Sequence, residues 1–308
     1  MKKVITLSAL CLVFIACHNN SNHSNATPAD TPSTLGLVEN CCWKDFNLQG
    51  KVKKITEYNY EVEIDDNNNV KRGALAEDYE PIVVKEFTPE GLLARVANYQ
   101  KEGEAPVLES LYDYDAQNRL ISIKRKDADS ESTDRYEYSA DGYPTACIST
   151  YKNNKENMED KTTYSYELTL TPEGKKVVER NSNSYDQKSY TAKYYNKQNL
   201  LVKECFYAGE DPMPQSESVY TYNGKNLCER IEQRTSEKGN PPTISLFFYD
   251  KYGNITKSTF DTPAGIEYDE DHRENTNEYV YDDKGNIVQS TIINDENPSI
   301  RVYKIEYY

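Results

Sequence analysis

One hairpin-like unit recurs through the sequence and limits the folds that the chain can adopt. Its clearest copy is the stretch from Glu278 to Ile293, EYVYDDKGNIVQSTII. Tyr279 and Tyr281 alternate with other residues as on a β-strand, the next four residues have turn chemistry, and Ile287 begins a second strand. A type I turn whose fourth residue is left-handed closes such a hairpin and sets Tyr281 opposite Ile287. The unit therefore predicts one β-hairpin.

Eight copies of this unit align on the last residue of the turn, which is always Gly or Asn, the types that adopt a left-handed backbone at low cost. Three residues earlier, each copy has Thr, Asp, Ser or Asn, whose short side chain can hydrogen-bond its own turn. Seven copies have an aromatic residue before the turn, and the eighth has Leu170. Pro144 and Lys176 depart from the pattern two residues after the turn. The aligned turn positions are Gly91, Asn118, Gly142, Gly174, Asn199, Asn226, Gly253 and Gly285.

The spacing of the copies predicts the fold class. Successive turn positions are 24 to 32 residues apart, which is typical of repeat architectures. The last residues, Arg301 to Tyr308, alternate as in a closing strand. We therefore predict an all-β chain of tandem hairpins that form an elongated, twisted antiparallel sheet, either open or coiled like a solenoid.

The N-terminus has the features of a lipoprotein export signal. Lys2 and Lys3 precede an apolar stretch that is too short to span a bilayer. The segment Phe14-Ile15-Ala16-Cys17 resembles the lipobox of bacterial lipoproteins, in which the Cys is lipidated. The alternative is an ordinary signal followed by an incidental Cys. We predict a signal peptide at 1–16, lipidated (palmitate-bearing) Cys17 with a flexible polar tether at 17–44, and a hairpin-repeat domain at 45–308.

This assignment predicts a lipid-anchored protein of the bacterial cell envelope, at the outer membrane, with the periplasmic and the surface side both open. The lipid would make the membrane a partner of the chain. The formal net charge is −15, and it becomes more negative when Lys2 and Lys3 leave with the signal. A charge of this sign argues against nucleic acid as a partner.

The cysteines give no sign of a reactive site. Once Cys11 has left with the signal and Cys17 carries lipid, five remain, and because five is an odd number at least one is a free thiol or pairs between chains. Their pairing stays open, and there is no C-x-x-C motif that would indicate a redox role. The five are Cys41, Cys42, Cys147, Cys205 and Cys228.

The repeat resembles the tyrosine-aspartate repeats of the Rhs family. The pattern Y-x-Y-D-x-x-G-N-I at Tyr279 to Ile287 carries the resemblance, together with related copies at 112–120, 220–227 and 247–255. In that family the repeats form twisted antiparallel sheets, and in the large toxins they wind into a shell around a cargo. This chain has far fewer copies and no toxin segment, so it is more similar to short Rhs-like lipoproteins of Bacteroides-type bacteria. Members of that group are often described as sugar-binding.

Two functional hypotheses follow. The first is a non-enzymatic binding or scaffold lipoprotein, whose Tyr-rich sheet contacts a glycan, a peptide or an envelope protein. The second is a glycan-active hydrolase, which requires two carboxylates about 5 to 9.5 Å apart in a cleft. The sequence singles out no such pair, and we predict no catalytic residue, cofactor or metal site.

Overall fold

The computed structural model describes residues 35–65, 70–76, 81–183, 188–209, 211–236, 241–261, 272–293 and 298–308. Cys17 and the export signal lie outside these residues. Nineteen β-strands make up the described regular structure, which confirms the all-β prediction. The first ten strands are β1 (Val52–Ile64), β2 (Val70–Leu75), β3 (Ile82–Phe87), β4 (Leu93–Tyr99), β5 (Leu108–Tyr114), β6 (Leu120–Asp127), β7 (Ser130–Tyr138), β8 (Pro144–Asn153), β9 (Met158–Thr171) and β10 (Gly174–Asn181). The others are β11 (Tyr190–Asn196), β12 (Leu201–Tyr207), β13 (Ser216–Tyr222), β14 (Cys228–Thr235), β15 (Thr243–Tyr249), β16 (Ile255–Asp261), β17 (His272–Tyr281), β18 (Ile287–Ile293) and β19 (Ser299–Tyr307).

The strands form a closed barrel. From β3 to β19 each strand pairs antiparallel with the next one in the chain. β1 closes the ring because it pairs with β19 on one side, from Val52↔Tyr307 to Tyr60↔Ile300, and with β3 on the other. Among the described strands, β2 pairs only with β1, along the C-terminal part of β1 from Tyr60 to Ile64. It stays outside the ring, so the barrel has 18 strands.

The prediction of an elongated or solenoid-like sheet was therefore wrong. A hairpin repeat specifies which strands are neighbours along the chain, but it contains no signal for the pairing between the first strand and the last. An open sheet would leave two edges with unpaired backbone groups, and closure removes both of them. The predicted closing strand at Arg301 to Tyr308 is confirmed as β19, and it supplies one of the two pairings that complete the ring.

The hairpins have the predicted register in seven of the eight copies. In each of the seven, the residue before the turn pairs with the residue two positions after the left-handed turn residue, as in Tyr281↔Ile287. Pro144 keeps this register opposite Tyr138. The exception is the hairpin from β9 to β10, where Thr171 pairs directly with Gly174 and Lys176 faces Thr169. Lys176 departed from the sequence pattern, and the hairpin that contains it thus has a shorter turn.

These eight turns lie at one end of the barrel, which we call the turn end. The eight aligned Gly and Asn positions all have positive φ, from 60° at Asn118 to 155° at Gly174. Gly91 is further restricted, because a Cβ atom there would lie 2.5 Å from the ring of Trp43. The opposite end carries the other connections, most of which are longer, and we call it the loop end.

Tyrosine hydroxyls join neighbouring hairpins at the turn end. The ladder between β6 and β7 stops at Ser122↔Arg135, so the carbonyl of Leu120 lies beyond it. The hydroxyl of Tyr138 donates a hydrogen bond to this carbonyl at 2.6 Å. The same bond recurs at equivalent positions around the barrel, from Tyr114 to Leu93, Tyr222 to Leu201 and Tyr249 to Cys228. In the last hairpin Tyr279, two residues before the equivalent position, makes the bond to Ile255 instead.

We expect Tyr138→Phe to lower the free energy of unfolding by about 0.5 to 1.5 kcal/mol, because the ring stays while the buried carbonyl loses its donor. Denaturant unfolding followed by circular dichroism measures this difference. Tyr194→Phe is the matched control, since Tyr194 lies on the other face of its strand beside Lys176. Equal stability of the two variants would contradict a structural role for the Tyr138 hydroxyl.

Candidate functional site

Residues 35–49, which we call the inner segment, precede β1 and contact widely separated parts of the wall. Near the start of this segment, the hydroxyl of Tyr195 donates to the carbonyl of Leu35 at 2.7 Å. Trp43 N–H donates to Gly91 O at 2.9 Å. Near its end, Asn47 Nδ2 donates to the Tyr252 carbonyl and Gln49 N–H donates to Asn286 Oδ1. The segment thus connects four of the turns at the turn end.

The length of the segment places it inside the barrel. Its fifteen residues contact β6 to β8, β10 and β11 near its start, and β1, β3, β4 and the turns before β16 and β18 near its end. So short a segment reaches strands on all these sides of a closed ring only from the interior. The strand face that it contacts is therefore the inner wall.

Apolar side chains of the inner segment pack against this wall. Leu35 and Leu37 form a buried cluster with Val177 and Tyr195, and Val38 lies in another with Leu120, Ile123, Tyr136 and Cys147. Trp43, Phe46 and Leu48 pack against a third cluster, of Val52, Ile55, Phe87 and Leu93. Trp43 Nε1 also donates to Val52 O at 2.8 Å. Residues 35–44, which the sequence analysis assigned to the polar tether, thus contribute to the core.

Charged side chains form ion pairs on both the inner and the outer wall. On the inner wall, Glu57 is buried and its carboxylate lies 3.4 Å from Lys85 Nζ and 3.6 Å from Arg301 Nη1. Side chains alternate between the faces of a strand, so the residues on either side of these positions point outward. Many outward pairs are ionic: Lys54–Glu306, Arg95–Glu109, Lys124–Asp113, Arg180–Glu167, Lys203–Glu217 and Lys257–Glu274.

The inner segment leaves one cavity of about 210 Å³ beside the barrel closure, which we call the β1–β19 cavity. The strands β1, β3 and β19 supply its wall, and the turns before β16 and β18 supply its floor. Most of the lining is apolar, with one carboxylate, one ammonium group and two amides. The lining residues are Phe46, Asn47, Leu48, Ile55, Glu57, Lys85, Asn254, Gly285, Ile287, Tyr303 and Ile305.

A second cavity of about 360 Å³ lies under the start of the inner segment, and we call it the β7–β10 cavity. Glu39 projects into it from the segment, and the wall adds two further carboxylates and three tyrosines. Arg125 binds Asp134 at 2.5 Å and also Glu39, while Lys193 binds Glu179 at 2.7 Å. The lining residues are Gly36, Leu37, Val38, Glu39, Asp134, Tyr136, Cys147, Ser149, Tyr164, Tyr166 and Glu179.

Cys41, Cys42, Cys147 and Cys205 are free thiols. Burial raises the pKa of Cys42 and of Cys147 to about 11, with the nearby carboxylates of Asp45 and Asp134 acting in the same direction. Burial likewise raises the pKa of Cys41 and of Cys205. Protonated thiols are weak nucleophiles and weak metal ligands, so the geometry gives these four residues a packing role.

The candidate site residues could not be found from sequence patterns alone. Glu57 and Lys85 lie on the paired strands β1 and β3, Asn254 lies in the turn before β16, and the barrel brings the three into one lining. The inner segment did carry a signal, because Leu35, Leu37, Val38, Trp43, Phe46 and Leu48 follow a long polar stretch that contains almost no apolar residues. Within the described residues, no group of three or more His, Cys, Asp or Glu is placed to hold a metal ion. No helix in the described part of the chain is long and apolar enough to cross a membrane.

Comparison with known proteins gives only distant resemblances. No family model matches the chain, so membership of the Rhs family is not confirmed. A search of curated proteins found no match. Among solved structures, a porin-like protein from Bacteroides uniformis ATCC 8492 is 13% identical with a TM-score of 0.41, and the alignment covers 84% of this chain and 98% of that one. A porin-like protein from Bacteroides vulgatus ATCC 8482 is 13% identical with a TM-score of 0.22, covering 84% and 99%.

The TcdB2-TccC3 structure without its hypervariable C-terminal region is also similar to this chain. Its identity is 17% and its TM-score 0.34, over 70% of this chain and 12% of that one. This chain thus spans only a small part of that protein's length. The TM-scores of all three structures are low, so they add nothing to the functional argument.

The buried tyrosines predict a loss of stability in alkali. Burial, helped by nearby carboxylates, raises the pKa of Tyr112, Tyr279 and Tyr307 from 10.0 to about 12. Because the folded state holds these protons more tightly than the unfolded state, their contribution to stability is complete below pH 10.0 and is lost as the pH rises towards 12. We expect tyrosinate absorbance to appear together with loss of the β-sheet circular dichroism signal. Ionisation of all tyrosines near pH 10.0 with the barrel intact would contradict this expectation.

Proposed function

We propose that this chain is a non-enzymatic, lipid-anchored protein of the bacterial cell envelope, and that its barrel binds a glycan residue in the β1–β19 cavity. The observation that carries the proposal is the composition of this cavity. Its wall is mostly apolar, and a few polar groups, those of Glu57, Lys85 and Asn254, converge on it. Ligand sites commonly combine an apolar lining with a small number of oriented polar groups.

The chemistry of the lining suits a pyranose ring. The C–H face of a sugar is apolar and packs well on aromatic and aliphatic side chains such as Phe46, Tyr303 and Ile305. Its hydroxyls both donate and accept, which matches a carboxylate, an ammonium group and an amide at one site. Glu57 is held by Lys85 and Arg301, so its carboxylate is oriented before a ligand arrives.

The charged side chains of the outer wall favour attachment through a lipid over insertion of the barrel into the bilayer. Its ion pairs occur on strands all around the barrel, and a Lys or Arg that faced hydrocarbon at mid-bilayer would cost about 2 to 4 kcal/mol. Such a wall is suited to water. Attachment to the envelope then depends on Cys17, whose acyl chains would contribute about 0.8 kcal/mol for each buried methylene.

For the glycan site, we expect Lys85→Met to weaken the binding of a glycan selected on an array by about tenfold or more, since it removes a charged hydrogen-bond donor and keeps the aliphatic stem. Titration calorimetry on residues 18–308 measures the affinity. Lys124→Met is the matched control, because Lys124 forms a similar ion pair, with Asp113, on the outer wall. An array without bound glycans, or equal losses in the two variants, would refute the site.

For the anchor, we expect Cys17→Ala to abolish labelling by radioactive palmitate and to release the protein from the membrane fraction. The charged outer wall should then keep the released barrel monodisperse without detergent. Ser21→Ala is the control, since it lies in the same polar stretch and leaves Cys17 in place. Membrane retention of Cys17→Ala would contradict lipid anchoring.

A glycan-active hydrolase remains the alternative, because three carboxylates line the β7–β10 cavity. Each of the three is already bound to a cation, Arg125 or Lys193. A glycosidase needs one carboxyl group that is available as the acid, whereas each of these three is held by a basic side chain. Hydrolysis of any bound glycan by the purified barrel, lost in Asp134→Asn, would favour the hydrolase over the binding protein.

A further inference from the structure

We propose that the β7–β10 cavity is a second binding site, one that takes an organic ammonium group. This site is separate from the proposed glycan site, since the two cavities share no lining residue. Its ligand class follows from three properties of the cavity: the sign of its charge, its aromatic walls and its size.

The lining of the cavity carries negative charge only. Glu39, Asp134 and Glu179 face it, and its lining includes no Lys or Arg. Arg125 and Lys193 bind these carboxylates from outside the lining. Three negative groups are therefore matched by two positive ones, which leaves room for one further cation.

Aromatic rings complete the wall. Tyr136 is buried on β7, and Tyr164 and Tyr166 are half-buried on β9, two strands away. The face of a tyrosine ring attracts an ammonium group within about 6 Å of the ring centroid. The same barrel makes such a contact on its outer wall, where Lys304 Nζ lies 4.5 Å from the centroid of the Tyr58 ring. No lysine among the described residues lines the β7–β10 cavity, so a ligand can supply the cation.

The negative charge of the cavity also acts on the pKa values of its three tyrosines. Burial raises the pKa of Tyr136, and the charge of Glu39 raises it further. Burial and then Glu179 raise the pKa of both Tyr164 and Tyr166. The carboxylates thus oppose any further negative charge in this space, and by the same field they favour a positive one.

The size of the cavity suits a small organic cation. About 360 Å³ holds an alkylammonium or a quaternary ammonium group with a short aliphatic body. A side chain added at Gly36 would meet no atom within 4 Å, so the space beside the segment is open. A bare metal ion would not use the aromatic walls.

Choline and its uncharged isostere 3,3-dimethyl-1-butanol provide the test, because they share a shape and differ in charge. We expect titration calorimetry on residues 18–308 to show choline binding, with the isostere at least about tenfold weaker, a difference of roughly 1.4 kcal/mol. Equal binding of the two compounds, or no binding of either, would overturn the proposal.

Matched carboxylate variants locate the site. Glu39 and Glu306 are both half-exposed and both form an ion pair with one basic residue, Glu39 inside the barrel and Glu306 outside it. We expect Glu39→Gln to weaken choline binding about fivefold to tenfold, because the cavity loses one negative charge, while Glu306→Gln leaves it unchanged. Equal effects would show that choline does not use this cavity. Lys85→Met should leave choline binding intact, so failure of the glycan site and failure of the ammonium site are distinguishable.

Discussion

The hydrogen bond from a tyrosine hydroxyl to the carbonyl of the preceding hairpin holds the repeats together at the turn end. Each hairpin is specified by its own turn, but the ladder between hairpins stops short of that end, as at Ser122↔Arg135. A tyrosine is long enough to bridge the gap, and Tyr138 does so at 2.6 Å. The hydroxyl of such a tyrosine therefore has a structural role. Of the 27 tyrosines in the sequence, five described ones make this bond, and these five reflect how hairpins are joined.

The register of the hairpins could be predicted because its determinants are local. Turn residues, the aromatic residue before them and the apolar residue after them lie within a few positions of each other, and seven of eight copies pair accordingly. Lys176 even marked the hairpin that pairs differently. Barrel closure was not predictable in this way, because the pairing of Val52 with Tyr307 joins positions at opposite ends of the chain. No local pattern specifies which distant strand completes a sheet.

The inner segment could not be placed from the sequence for a related reason. Its apolar residues have neither the period of a strand nor that of a helix, so pattern analysis left residues 35–44 in the tether. Their packing role follows only from the structure, because they contact strands of the closed barrel from inside. Both cavities depend on non-local placement, since one lining combines Glu57 and Lys85 with Asn254, and the inner segment brings Glu39 to the wall that carries Asp134 and Glu179.

A barrel of 18 strands is wider than side chains alone can fill, whereas one of about eight strands can be filled by its own residues. The inner segment occupies part of this excess space, and the two cavities are parts of the interior that it does not fill. The segment also lines them both, with Asn47 and Leu48 in one and Glu39 in the other. Because Trp43 lies between these residues and is fixed to Gly91 and Val52, a shift of the segment along the wall would alter both cavities together. The chemistry of each site is thus set jointly by the repeat wall and by a segment that belongs to no repeat.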